Sequence, residues 1–155
     1  MDEINPYAPP KSDDARPAGA KKKRKTPAYK LYTPGQIALA TFLGTPVAGM
    51  FLLSVNRRRM GKSSLATTTL LGGIGVTVLL FGIGLVLPES VSRAIPIGVT
   101  IAAGQYARVD QPLLDAHVAR GGQKESSWKA AGFGLAGLAA IFGMIMVFVL
   151  VVTPG

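Results

Sequence analysis

The sequence predicts an all-α fold: a transmembrane helical bundle of three to four spans with a disordered basic N-terminal arm. Three stretches, residues 31–56, 63–88 and 130–155, contain no Asp, Glu, Lys or Arg. A helix rises about 1.5 Å per residue, so about 20 apolar residues cross the roughly 30 Å hydrocarbon core of a bilayer. A soluble fold of this size would interleave polar residues at the period of a helix or a strand, and these stretches do not. The spans predicted from them cover residues 37–55, 65–87 and 130–152.

The first 30 residues form a separate arm in this prediction. Nearly all of the Leu, Ile, Val, Phe and Met residues follow residue 30, so the arm has too little apolar surface to bury a core. Five of the eleven prolines lie within residues 1–28 and favour an extended backbone. We therefore expect residues 1–30 to be disordered and residues 31–155 to form one transmembrane domain.

The net charge of +9 is concentrated in two clusters beside the apolar stretches. Such clusters commonly bind anionic lipid headgroups, at about 1 kcal/mol per cation near the surface. Nucleic acid is the less favoured partner, because proteins that bind it usually interleave aromatic residues with the cations. The predicted contacts to lipid or to an acidic partner are Lys21, Lys22, Lys23, Arg24, Lys25, Arg57, Arg58, Arg59 and Lys62.

The first predicted helix begins at a capping sequence. Thr33 precedes Pro34, which matches an N-cap residue followed by proline at the first helical position, where its missing N–H costs nothing. Further along, the Gly-Thr-Pro sequence at residues 44–46 removes one backbone hydrogen bond and permits a kink. We favour a kinked helix that crosses the membrane over residues 37–55.

That crossing conflicts with the distribution of charge. It would place residues 21–25 and the loop at residues 57–62 on opposite faces of the membrane, whereas the positive-inside rule favours both in the cytoplasm. The alternative is a hairpin in which residues 37–55 enter and leave on the cytoplasmic face. Such a hairpin is cramped at 19 residues, and its irregular backbone must be buried by neighbouring helices.

The later elements differ in strength. Residues 94–107 form a weak candidate span, because the segment has only 14 residues and is interrupted by Pro96. Residues 108–129 are polar and predict an amphipathic stretch at the membrane interface, which Gly121-Gly122 ends. Trp128 then begins the last span at headgroup depth.

Small residues recur every four positions on the predicted helices, where another backbone can approach closely. Residues 132–137 also fit the dinucleotide pattern G-x-G-x-x-G, but that pattern needs a preceding strand and an acidic residue about 20 positions later, and the sequence has neither. We therefore interpret these positions as helix contacts. The predicted helix-packing residues are Gly132, Ala136 and Ala140 together with Thr69, Gly73 and Thr77, and the first run has a similar set at Thr41, Thr45 and Gly49.

No catalytic, cofactor-binding or metal site is predicted. The chain contains no cysteine, and its one histidine, His117, is interpreted as a solvated surface residue although carboxylates lie near it in sequence. Residues 60–63 resemble the end of a phosphate-binding loop, but the glycine required five residues before Gly61 is Asn56. No Asp, Glu, Lys, Arg or His residue lies within the three apolar runs, which counts against proton or ion coupling. We therefore expect a protein without enzyme activity.

The sequence YTPGQIALATFLG at residues 32–44, continuing to Asn56 and Gly61, resembles the opening of a family of small, uncharacterised bacterial multi-span membrane proteins. The Gly121-Gly122 turn that leads to Trp128 is also similar, so the resemblance covers roughly residues 31–150. The resemblance implies a bacterial inner membrane and implies no activity.

Three hypotheses for function follow. The first is a structural or accessory membrane subunit whose basic arm binds anionic lipid or an acidic partner, alone, as a homo-oligomer or in a larger complex. The second is a small passive transporter or channel, which the prolines and the Thr and Gln residues of the spans favour. The third is a membrane tether for nucleic acid through residues 21–25.

Overall fold

The computed structural model of the chain describes residues 26–84, 86–88, 91 and 94–152, without the side chains of Ile145 and Phe148. Helices hold 78% of these residues, which confirms the all-α prediction. The basic block at residues 21–25 and most of the predicted arm lie outside the described residues. The described elements are β1 (Lys30–Leu31), α1 (Pro34–Leu43), α2 (Pro46–Arg59), α3 (Ser63–Gly84), α4 (Ile95–Arg108), α5 (Gln111–Ala119), β2 (Gln123–Lys124) and α6 (Ser127–Val152).

The start of α1 has the cap that the sequence predicts. The Thr33 hydroxyl accepts a hydrogen bond from the Gln36 N–H at 3.3 Å, and Gln36 Oε1 accepts one from the Thr33 N–H at 2.9 Å. This reciprocal pair is a capping box, and Pro34 occupies the first turn. The helix then ends at Leu43, immediately before the Gly-Thr-Pro sequence.

The Gly-Thr-Pro sequence reverses the chain. Asn56, at the far end of α2, bonds to the backbone of Tyr32, just before α1: the Tyr32 N–H donates to Asn56 Oδ1 at 2.9 Å, and Asn56 Nδ2 donates to the Tyr32 carbonyl at 2.7 Å. One continuous helix would hold these residues roughly 35 Å apart. Nearer the turn, α1 and α2 approach so closely that a Cβ at Gly49 would collide with the side chain of Thr41.

The single kinked helix predicted over residues 37–55 is therefore wrong, because the chain reverses at the Gly-Thr-Pro sequence and forms a helical hairpin of α1 and α2. The physical reason lies in the small residues of the run. Gly49 lets the two helices touch, so Thr41 and Gly49 pack against each other instead of against a third helix. Pro46 begins α2 at a position where no N–H is needed.

The other helices surround this hairpin. α2 packs along α3, where a Cβ at Gly73 would lie 2.5 Å from Met50 Cβ. α1 lies between α4 and α6, and the backbone of α6 reaches it at Gly134, where a Cβ would lie 3.1 Å from the Ala40 carbonyl oxygen. The hairpin is thus the centre of the bundle.

The helix-packing residues predicted on α3 and α6 have different outcomes. Thr69 and Gly73 are buried and Thr77 is half-buried. On α6, Gly132, Ala136 and Ala140 are all exposed, and a Cβ at Gly132 would meet no atom within 4 Å. The α6 stripe is therefore wrong for contacts within this chain, because the hairpin meets the neighbouring face of that helix, at Gly134.

Two short strands pair at the end of the bundle where α1 and α6 begin. Lys30 and Leu31 of β1 pair in parallel with Gln123 and Lys124 of β2, and the Glu125 N–H donates to the Leu31 carbonyl at 2.9 Å. This pairing holds the entry to α1 beside the start of α6. Among the described residues, α3 and α6 are the two helices long and apolar enough to span a membrane.

Candidate functional site

The end of the bundle where α2, α4 and β2 terminate carries a layer of paired polar side chains. We call it the polar layer and define it as Gln36, Asn56, Arg57, Arg59, Lys62, Tyr106, Asp110, Glu125 and Lys129. These residues lie on α1, α2, α4 and α6 and in the loops beside those helices. The layer is where sequence-predicted cations and unpredicted carboxylates meet.

Arg57 is the centre of the polar layer. Its side chain is 5% exposed, and its Nε donates to Asp110 Oδ2 at 2.8 Å. Nη1 donates to the Tyr106 hydroxyl at 3.0 Å and also to the Thr69 hydroxyl, and the guanidinium carbon lies 4.9 Å from the centroid of the Tyr106 ring. A buried cation is stable in a protein only when it is paired and hydrogen-bonded in this way. The prediction that Arg57 contacts lipid is therefore wrong; it joins α2, α3 and α4.

Asp110 holds a second cation as well. Lys62 Nζ donates to Asp110 Oδ1 at 3.1 Å, and the Lys62 side chain is 35% exposed. Burial alone would raise the pKa of Asp110, but the hydrogen bonds and positive charges of Arg57 and Lys62 hold that pKa below its ordinary value. Asp110 therefore stays ionised and offsets one of the four positive charges that the sequence assigns to this loop.

Glu125 is the other carboxylate of the layer. It pairs with Arg59 at 3.3 Å and with Lys129 at 3.2 Å. Desolvation would raise the pKa of Glu125, but the hydrogen bonds and charges of Lys129 and Arg59 lower it. The backbone carbonyl of Glu125 also accepts from Gln36 Nε2 at 2.7 Å, which ties the first turn of α1 to the start of α6.

The described cations among those predicted to contact lipid or a partner differ in their exposure and in their ion pairs. Arg57 is buried, whereas Arg59 and Lys62 are partly exposed and bonded to carboxylates. Arg58 is exposed, and its side chain has no ion pair or hydrogen bond to other residues in the described part of the chain.

Comparison with known protein families, curated proteins and solved structures finds no match.

His117 lies beside the polar layer and differs from its prediction. It is 2% exposed, its ring stacks on Tyr29 with centroids 4.8 Å apart, and Gly122 packs against it. Neither ring nitrogen has a hydrogen-bond partner among the described residues. The interpretation of His117 as a solvated surface residue is therefore wrong. One sequence signal was available: His117 follows the buried Leu114 by three positions, which places both on one face of α5.

The burial of His117 yields a stability prediction. His117→Phe should keep the stack on Tyr29 and remove two unpaired nitrogens, so the free energy of unfolding should rise by about 1 kcal/mol. His117→Ala should lower it, because the stack and the packed volume are lost. Thermal unfolding of both variants in detergent checks the prediction, and a destabilised Phe variant would show that the nitrogens are bonded.

The described residues offer no metal centre. Within residues 26–84, 86–88, 91 and 94–152, no three His, Cys, Asp or Glu side chains are grouped closely enough to hold an ion. Both carboxylates of the polar layer are engaged by Arg and Lys. The chemistry of this site is therefore the pairing of charges and the display of the remaining cations.

Proposed function

We propose that this chain is a non-enzymatic integral protein of the bacterial inner membrane, a structural or accessory subunit that presents a basic face to anionic headgroups or an acidic partner. One observation carries the proposal. The polar layer is at one end of the bundle, while α3 and α6 continue beyond it as helices whose large apolar side chains are exposed. Exposed apolar surface of that extent fits a bilayer.

The lengths of α3 and α6 support two spans, and the return of the chain through α4 to the polar layer at Asp110 favours α4 as a third; the short hairpin would enter and leave on the same face. α3 has 22 residues and α6 has 26, about 33 and 39 Å, whereas α1 has 10, about 15 Å or half the hydrocarbon core. We propose α3, α4 and α6 as the spans. The turn of the hairpin is half-buried and packs against the backbone of α6 at Gly44, which shields part of the irregular backbone as a membrane requires.

This arrangement removes the conflict between the two basic clusters. With the hairpin returning to its own side, residues 21–25 and the loop at residues 57–62 share one face, as the positive-inside rule favours. Both then adjoin the headgroups of the cytoplasmic leaflet. The basic arm and the exposed Arg58 supply the proposed contacts.

Cysteine labelling tests the topology, because the native chain contains no cysteine. Thr26→Cys, Ser64→Cys and Ser126→Cys should react with an impermeant thiol reagent from one side, and Val86→Cys, which is 85% exposed, from the other. Lysed membranes serve as the control that all four thiols are reactive. Labelling of Thr26→Cys and Ser64→Cys from opposite sides would contradict the proposal.

A passive conduit is the second candidate. A cavity of about 510 Å³ lies at the turn of the hairpin, lined in part by Thr41, Thr45 and Thr77. Hairpins that enter a membrane from one side line the pores of some channels. However, the hydroxyls of Thr41 and Thr77 already donate to carbonyls of their own helices, at 3.0 and 2.9 Å. Flux through proteoliposomes that Thr45→Leu abolishes would establish the conduit.

The nucleic-acid tether depends on residues 21–25, which lie outside the described residues. It predicts binding that weakens steeply with salt and that disappears when residues 1–30 are deleted. Binding that survives the deletion would exclude it.

A further inference from the structure

An apolar groove lies between α3 and α6, with α2 as its floor. Its volume is about 680 Å³, within the range of sites that hold small molecules. Phe51 and Phe133, whose ring centroids are 5.6 Å apart, line the end nearer the polar layer, and Phe81 and Met144 line the other end. Under the proposed function α3 and α6 cross the membrane, so this groove faces lipid.

The depth of the groove matches one leaflet. Along α6 its lining runs from Phe133 to Met144, which is about 16 Å at 1.5 Å per residue. Half of a roughly 30 Å hydrocarbon core is about 15 Å, the depth occupied by one acyl chain. The groove therefore has the length of a lipid tail that starts at the polar layer.

Cations stand above the polar-side end of the groove. Arg58 follows Phe51 by seven residues and Lys129 precedes Phe133 by four, so each cation lies on the same helix face as its ring, nearer the polar layer. Arg58 is exposed with no side-chain partner among the described residues, and the side chain of Lys129 is 62% exposed. Glu125 faces the same place, but Arg59 and Lys129 both bind it. Arg58, Arg59 and Lys129 together carry more charge than Glu125, so the end of the groove nearer the polar layer is net positive.

We infer that this groove binds one acyl chain of an anionic phospholipid, whose phosphate contacts Arg58 and Lys129. The inference rests on the proposed function, since it requires α3 and α6 to lie in the bilayer. The groove supplies the apolar contact and the cations supply the selectivity for a negative headgroup. A neutral phospholipid gains only the apolar contact.

Native mass spectrometry of the purified full-length chain, with phosphatidylglycerol or phosphatidylcholine added, tests the inference. Phosphatidylglycerol should bind more tightly, and Arg58→Gln should weaken its binding about fivefold while leaving phosphatidylcholine unchanged. Arg120→Gln, which removes an exposed cation at the C-cap of α5, is the matched control and should have no effect. Equal affinity for both lipids, or equal losses in Arg58→Gln and Arg120→Gln, would overturn the inference.

A second pair of variants tests the groove itself. Ala136→Trp places a ring in the groove and should reduce the binding of both lipids at least tenfold, whereas Ala139→Trp, on the exposed surface of α6 outside the groove, should not. Ala140→Phe repeats the test if Ala136→Trp fails to fold. Undiminished binding in a folded groove variant would overturn the inference. The cysteine labelling of the native topology is unaffected by these changes, so failure of the lipid site and failure of the membrane proposal are separable.

Discussion

Arg57→Ala is expected to lower the free energy of unfolding by about 3 to 5 kcal/mol, the cost of leaving one partner of a buried ion pair uncompensated. The side chains of Arg57 and Asp110 are 5% and 10% exposed, so water cannot replace the lost guanidinium. Tyr106 and Thr69 lose a hydrogen-bond donor in the same variant. Denaturant titration in detergent micelles, followed by circular dichroism, measures the change.

Arg58→Ala is the matched control for that experiment. It removes the same charge one residue later on α2, but from an exposed side chain, and should change the free energy of unfolding by less than about 0.5 kcal/mol. Equal losses in the two variants would show that Arg57 is not buried. Arg57→Met combined with Asp110→Leu should recover most of the loss, because it removes both charges and keeps the volume.

The same pair gives the protein an acid-sensitive contribution to stability. The folded protein holds the pKa of Asp110 below its unfolded value, which is about 3.9. The stabilisation is therefore complete above about pH 4 and is lost as the pH falls through the folded pKa. Asp110→Asn should be less stable than the native chain at neutral pH and should lose less stability on acidification.

Gly134→Leu is the second change for which we expect a large effect. A Cβ at this position would lie 3.0 Å from Leu43 Cβ and 3.1 Å from the Ala40 carbonyl oxygen, so the larger Leu side chain should push α6 away from α1. Overpacking of a tight contact costs about 1 to 3 kcal/mol, and we expect the upper end of that range. The free energy of unfolding in detergent is the measurement.

Gly132→Leu, two residues earlier on the same helix, supplies the comparison. Gly132 is exposed and has no atom within 4 Å of an added Cβ, so this variant should be as stable as the native chain. A destabilised Gly132→Leu with an intact Gly134→Leu would reverse the assignment of faces on α6. Loss of an oligomer in Gly132→Leu alone would place the predicted Gly132, Ala136 and Ala140 stripe between copies of the chain.

The features predictable from the sequence depend on a few neighbouring residues. The Thr33 and Pro34 cap needs only the geometry of one helical turn, and the turn at Gly121 needs only a residue that accepts its φ of +83°. Likewise α3 and α6 each contain an apolar run long enough to cross a membrane, so hydropathy locates them without knowledge of any contact. For these elements local chemistry suffices.

The hairpin of α1 and α2 could not be settled in that way. Residues 37–55 are uniformly uncharged, and hydropathy has the same value for a chain that continues and for one that turns back. The Gly-Thr-Pro sequence permits either outcome. Contacts remote in sequence decide between them, such as the bonds between Asn56 and Tyr32 and the contact of Gly49 with Thr41.

The candidate site shows the same division. Composition and spacing alone locate the basic clusters and the charge-free helices, and thereby the end of the molecule that carries charge. They do not distinguish Arg57 from Arg58, or Gly132 from Gly134, since residues of one type on one helix differ only in the direction they face. The neighbouring elements decide which direction is buried. Arg57 is buried because it faces Asp110, and Gly134 is buried because it faces the hairpin.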